Sequence, residues 1–230
     1  MRGHSPASRS ALALNLPACA RPSSPGLILE HRLLSRGYRL VAGIDEAGRG
    51  AWAGPVVAAA VILPLARADL AALLKGVNDS KKLTARRREQ VGPKIEGLAA
   101  AVGIGSASAE DIDRLGIVPA TRLAMQRAVA GLNPQPEALL IDAVDLTALV
   151  PLPQYALFYG DAISLSIAAA SILAKLSRDH LMTALEARYP GYGFGRHKGY
   201  GTSAHQAALA RLGASDIHRQ SFAPVRARLA

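Results

Sequence analysis

The sequence predicts a mixed α/β domain whose central sheet carries its chemistry at the ends of its strands. Three observations support this. Five short, largely apolar segments of strand length recur along the chain. The first three lie close together, whereas the later ones are separated by helical patterns, the order expected of a mixed sheet flanked by helices. Three of the five segments run into carboxylates: Asp45 and Glu46, then Asp142, then Asp161. In open α/β sheets, functional groups gather at such strand ends.

The elements follow in chain order. Residues 1 to 29 contain no acid and are rich in Pro, Ser and Arg. They read as part of a flexible N-terminal extension over 1–37, with residues 38–230 forming the catalytic domain and its C-terminal helical segment. Leu27–Ser35 predicts a short helix. The first strand spans about 39–46, and the continuously apolar Gly54–Leu63 is the second, stopped at Pro64. Ala99–Ile104 reads as the third. Ser108 followed by Glu110 and Asp111 signals a capped helix start. Pro119 suits the first turn of a longer helix to about Ala130, with Val118, Met125, Val129 and Leu132 near one face. Asn133-Pro-Gln-Pro136 breaks that helix. Ala138–Ile141 is the fourth strand and Tyr155–Tyr159 the fifth. A long helix then runs from about Ile163 to Ala187, and a last one over Thr202–Leu212, ended by Gly213.

Composition narrows the function. The net charge is +10, which favours a polyanionic partner, most simply nucleic acid; a basic tail is the alternative. Cys19 is the only cysteine, so disulfide frameworks and cysteine metal sites are excluded and a cytoplasmic setting fits. No apolar run is long and uninterrupted enough to span a membrane.

Leu40–Ile44 delivers Asp45 and Glu46 into Ala47-Gly-Arg-Gly50. Carboxylates at the end of a buried strand are costly unless a cation offsets them. Strand alternation sends neighbouring side chains to opposite faces, so the two converge only if the chain bends, for which Ala47-Gly48 is suited. An acidic turn with Arg49 as surface partner is the competing reading. Four carboxylates from three strand ends suit two divalent cations roughly 3.5–4 Å apart, in a clamp for in-line phosphoryl displacement. All-oxygen ligands select Mg²⁺ or Mn²⁺ over zinc. By residue type alone alternatives stay open: Asp142 as a turn aspartate, Asp161 as a helix N-cap, Asp145 or Asp179 as substitute ligands.

Gly43-Ile-Asp-Glu-Ala-Gly-Arg-Gly50 with Ala53-Gly-Pro-Val-Val-Ala-Ala-Ala-Val-Ile-Leu63, then Asn78-Asp-Ser-Lys-Lys-Leu83, closely resembles the ribonuclease HII (type 2 ribonuclease H) family. So do Ala168–Asp179, Tyr189-Pro190 to His197-Lys-Gly-Tyr-Gly-Thr202, and Ile217-His-Arg-Gln-Ser-Phe222. The resemblance covers about 38–225. It implies a ribonuclease H-like five-stranded sheet and hydrolysis of the RNA strand of RNA–DNA hybrids, with cutting at ribonucleotides embedded in duplex DNA. A monomer working with two divalent cations, Mg²⁺ or Mn²⁺, and leaving 3′-hydroxyl and 5′-phosphate ends, is expected. Asp45, Glu46, Asp142 and Asp161 match the metal ligands. Gly48, Arg49 and Gly50 match a loop contacting the nucleic acid around a ribose 2′-hydroxyl. Tyr200 matches a tyrosine stacking near the sugar on the DNA side of the junction. Lys82, with Lys81 beside it, matches a backbone-contacting lysine, and Arg196 and Lys198 are further substrate-contact candidates beside Tyr200. Two departures stand out: Ala51-Trp52 replaces a common Pro-Leu, and Ala143 follows Asp142 where glycine is common.

Overall fold

The computed structural model describes residues 24–229. Its sheet contains β1 (Val41–Ala47), β2 (Val56–Ile62), β3 (Ala101–Ala107), β4 (Ala138–Asp142) and β5 (Gln154–Leu157), in the order β3-β2-β1-β4-β5. β1, β2 and β3 form an antiparallel meander, and β4 and β5 add parallel to β1. The helices are α1 (Ile28–Leu34), α2 (Leu70–Leu73), α3 (Ala85–Leu98), α4 (Ala109–Leu115), α5 (Ile117–Ala130), α6 (Gly160–Ile163), α7 (Leu165–Arg188), α8 (Phe194–His197), α9 (Ser203–Leu212) and α10 (Ala223–Arg226), with a 3₁₀ turn at Ser80–Lys82.

Alternation divides the core in two. Val41, Ala59, Val61 and Leu140 face α7, α3 and α1. Ala42, Ile44, Ala58, Ala60 and Ile141 face α5 through Ala120, Ala124, Met125 and Ala128. The central strands are buried on both faces, which explains their continuous apolar runs.

Several boundaries differ from the sequence expectation. α1 packs into the domain through Leu29 and Leu33, and its Glu30 accepts from Ser164 Oγ (2.6 Å) and Ser166 N (3.0 Å). The extension therefore does not reach residue 37: the chain joins the core from Gly26, whose amide donates to Ile163 O (3.0 Å). The remainder of the expected extension lies outside the described residues. β2 starts at Val56, because Gly54 has φ +79° and its amide is committed to Ile217 O. β3 lies two to three residues later than expected, since Gly103, Gly105 and Ser106 hide a strand that alternates instead of running apolar. β5 ends at Leu157; Tyr159 is left-handed (φ 59°) and exposed. Val118 is exposed, unlike Met125, Val129 and Leu132. The Ser108 cap forms as expected, in a reciprocal capping box with Asp111.

Candidate active site

β1 and β4 are parallel neighbours with Ile44 opposite Ile141, so Asp45 and Asp142 emerge side by side on the α7 face. Asp161 arrives from α6, a separate helical turn between β5 and α7. One carboxylate oxygen from each of Asp45, Asp142 and Asp161 lies within 4.8 Å of the others. Asp142 Oδ1 accepts from Gly160 N (2.7 Å), tying the end of β4 to the start of α6. Asp161 is not an N-cap: Ser164 caps α7 through Ile167 N, and α6 has no side-chain cap. Asp145 bonds Thr147 within the loop after β4, and Asp179 pairs with Lys175 (2.7 Å) and Arg88 (3.7 Å). Neither joins the cluster.

The bend expected between Asp45 and Glu46 does not occur, because the β1–β2 ladder continues through Ala47 opposite Val57. Glu46 therefore leaves β1 on the opposite face and lines the same cleft, of about 390 Å³, around the strand end. Its Oε1 accepts from Arg49 Nη1 (3.1 Å), while its Oε2 is buried without a partner.

Burial and crowding hold these groups toward the neutral form. Asp45 is raised well above the usual carboxylate range by burial, then by Glu46 and Asp142, against a hydrogen bond from Ser171. Asp161 is pushed up to about 6 by burial, Asp79 and Asp142. Burial raises Asp142 against the Gly160 amide, and raises Glu46 against Arg49. A hard divalent cation would relieve this penalty at the oxygen-only cluster of Asp45, Asp142 and Asp161, which Glu46 does not join. The donor set fits Mg²⁺ or Mn²⁺, with no His or Cys in the cluster.

Three contributors escaped the sequence reading. Asp79 accepts from Lys81 N (2.9 Å), capping the 3₁₀ turn, and also sits against Asp161. Ser171 on α7 touches Asp45, and its Oγ is 2.9 Å from Ser80 Oγ. Lys175 lines the cleft. Asp79 and Ser80 lie inside Asn78–Leu83, and Ser171 and Lys175 inside Ala168–Asp179, so the signal was present without a role attached.

Of the paired lysines, Lys81 lines the cleft, with Nζ 3.9 Å from Asp161 Oδ2; Lys82 does not line it. Gly48, Arg49, Gly50 and Tyr200 form its other wall. Arg196 and Lys198 are not brought there. Arg196 is exposed beside a separate hollow with Thr202 and Ser203, and the Lys198 ammonium is held by Thr183 Oγ1 and Gly195 O. Of the consecutive Arg86, Arg87 and Arg88, the last turns inward, donating to Ser80 O (2.8 Å) and Leu83 O (2.6 Å), and only Arg86 and Arg87 are exposed. Trp52 is packing: its ring lies against Gly201 and 5.6 Å from His205. Ala143 adopts φ +51°, a conformation glycine takes without strain.

Oxygen ligands converging at the end of a mixed sheet, in a cleft rimmed by Lys81, Arg49 and Tyr200, define a metal-dependent nuclease. A sequence profile of the ribonuclease HII family matches residues 42–225. The ribonuclease HII of Chloroflexus aurantiacus is 55% identical over 201 residues, covering 87% of this chain and 94% of that protein. That of Geobacillus thermodenitrificans is 54% identical over 200 residues, covering 87% of this chain and 74% of that protein. This chain belongs to the ribonuclease HII family and is a ribonuclease H enzyme acting on RNA–DNA hybrids. Among solved structures, ribonuclease H2 from Pyrococcus horikoshii matches with TM-score 0.69 at 25% identity, over 81% of this chain and 95% of that one. The ribonuclease HIII solved with Mn²⁺ matches with TM-score 0.66 at 22% identity, over 92% of this chain and 75% of that one, and supports the fold alone. Among the described residues no helix is long and apolar enough to cross a membrane.

Proposed function

We propose that the enzyme cuts the RNA strand of RNA–DNA hybrids, and duplex DNA at single embedded ribonucleotides, leaving 3′-hydroxyl and 5′-phosphate ends. The observation that carries this reading is the Asp45–Asp142–Asp161 cluster, of which Asp45 and Asp142 line the same cleft as Gly48-Arg49-Gly50 and Tyr200. Asp45, Glu46, Asp142 and Asp161 are the residues that would hold two divalent cations, Mg²⁺ or Mn²⁺. When bound, these supply Lewis acidity and an activated water for in-line displacement.

The chain's own groups do the rest. Lys81 places a cation beside the carboxylates, where a phosphate oxygen must come. The loop 48–50 meets the ribose, whose 2′-hydroxyl distinguishes RNA from DNA. That hydroxyl is recognised and is not the nucleophile, which accords with a 5′-phosphate product. Tyr200 offers a stacking face, its ring 5.2 Å from the Arg178 guanidinium and 5.3 Å from Lys175 Nζ. The near absence of cysteine supports a cytoplasmic setting.

The test is a labelled DNA duplex containing one ribonucleotide, with the cut mapped in Mg²⁺, Mn²⁺ and EDTA. Incision confined to the ribonucleotide and abolished by EDTA is expected. Equal cutting of an all-deoxy duplex would make the protein a general DNA nuclease, and binding without cutting in either metal would make it a silent binder. Tyr200→Ala should slow the single-ribonucleotide substrate more than a long hybrid, which offers many ribose contacts. An equal loss on both would assign Tyr200 to general binding.

A further inference from the structure

Two arginines, Arg178 on α7 and Arg219 after α9, are fully buried and make no ion pair among the described residues. Uncompensated buried guanidiniums are costly, and a pair is more so, since each opposes the other's charge. Burial and then Arg178 hold Arg219 down at about 9. Their partners are all carbonyls of two loops. Arg219 donates from Nη2 to Gly48 O (2.7 Å), from Nη1 to Arg49 O (2.7 Å) and from Nε to Gly54 O (3.0 Å). Arg178 donates to Ala53 O (3.1 Å), Pro55 O (2.9 Å) and Lys198 O (2.9 Å), and its guanidinium lies against the Tyr200 ring.

The consequence lies in the peptide planes. In a trans peptide the N–H points opposite to the preceding C=O. With the Gly48 and Arg49 carbonyls drawn inward to Arg219, the Arg49 and Gly50 amides point outward. Neither amide donates to any acceptor among the described residues, and both residues line the cleft beside the carboxylates. Gly48 also adopts φ +94°, and a Cβ there would fall 1.9 Å from Arg178 Nε, so the loop is fitted to the arginine pair.

We infer that Arg219, braced by Arg178, is a positioning residue for ribose recognition, fixing the 48–50 backbone so that the Arg49 and Gly50 amides meet the sugar hydroxyl. This rests on the reading of the 48–50 loop proposed above. A planar guanidinium can bridge three carbonyls in one orientation, whereas a lysine ammonium retains the charge without the fork.

The test compares wild type, Arg219→Lys and Arg178→Lys with Met125→Ala, a core variant on the opposite face of the sheet that controls for lost stability. Duplex affinities are measured in EDTA for a single-ribonucleotide duplex and its all-deoxy counterpart, alongside single-turnover cleavage and Tm. Wild type should favour the ribonucleotide duplex about tenfold, the value of one net hydrogen bond. Arg219→Lys should bring that ratio close to one and slow cleavage roughly a hundredfold, the scale of an ångström-sized misplacement, while affinity for the all-deoxy duplex is retained. Arg178→Lys should lower the ratio less, and provides the answer if Arg219→Lys does not fold. Met125→Ala should keep the wild-type ratio. A folded arginine variant that keeps the wild-type ratio, or a ratio lost equally in Met125→Ala, would overturn the inference. If wild type cuts the hybrid but shows no preference in binding, the ribose-reading role of the loop falls, and the inference with it.

Discussion

Gly43→Ala is the most informative single perturbation outside the carboxylates. Gly43 lies in mid-β1, two residues before Asp45, where α7 crosses the sheet. A Cβ there would fall 2.2 Å from Ser166 C, 2.4 Å from Ile167 N and 2.5 Å from Ser166 Cβ. Two of these three atoms are backbone, so no rotamer change relieves the clash. Restoring an ordinary 3.4 Å contact requires α7 to retreat by about 1.2 Å. Overpacking of this kind costs about 3 kcal/mol, a fall in Tm of roughly 6–12 °C for a domain of this size. The same movement draws Ser171 from Asp45 and shifts Asp161, which joins α7 through α6. Misplacement by about 1 Å slows chemistry roughly a hundredfold. The assay is thermal unfolding together with single-turnover cleavage of the one-ribonucleotide duplex at saturating Mn²⁺. Gly97→Ala serves as control: its Cβ meets nothing within 4 Å, and it should stabilise α3 by up to about 1 kcal/mol. Wild-type Tm and rate in Gly43→Ala would refute the claim that this close approach sets the carboxylate geometry.

Further predictions concern charge, the N-terminus and the turns. Asp45→Asn should abolish most cleavage, leave hybrid binding measurable, and raise Tm in EDTA, because it removes a buried carboxylate crowded by Glu46 and Asp142; near-normal turnover would remove Asp45 from the metal site. Deleting residues 2–23 should leave Tm and cleavage unchanged, whereas deletion through residue 34 removes buried Leu29 and Leu33, each worth about 2–3 kcal/mol, and should broaden or abolish cooperative unfolding; unchanged unfolding after the longer deletion would show that α1 is dispensable. His218 is held down at about 4 by burial and His205, so the stability it contributes is full above pH 6.5 and is lost as pH falls from 6.5 toward 4. The wild-type minus His218→Asn stability difference, from denaturant titrations at each pH, should shrink across that window; a flat difference would refute the shift. Ala143→Gly should relieve the left-handed turn after Asp142 and stabilise the protein by about 1 kcal/mol, read as a rise in denaturation midpoint, with no gain counting against strain at that turn.

Much of the sheet was legible because its central strands are buried on both faces and so must be apolar throughout: β1, β2 and β4 read directly from the chain. β3 was misplaced because Gly103 and Gly105 leave room for α5 against the sheet, and glycines carry no strand signal. All four proposed carboxylates are visible as acids following apolar segments. Their roles were not separable by local pattern, since Asp161, Asp145 and Asp179 all suit caps or ion pairs equally well.

What the sequence alone determined about this protein is its family, its mixed sheet and its basic, nucleic-acid-seeking character, because motifs, apolar runs and net charge are properties of neighbouring residues or of the whole composition. What only the tertiary structure decided is which groups meet. Parallel pairing of β1 with β4 sets Asp45 beside Asp142, and the α6 turn brings Asp161 to them. Packing turns Arg88 and Lys198 away from the cleft while Lys81 enters it. Arg219 reaches back across 171 residues to the carbonyl of Gly48. Such contacts depend on chain crossings and on the burial of individual charges, and no local window of sequence encodes either.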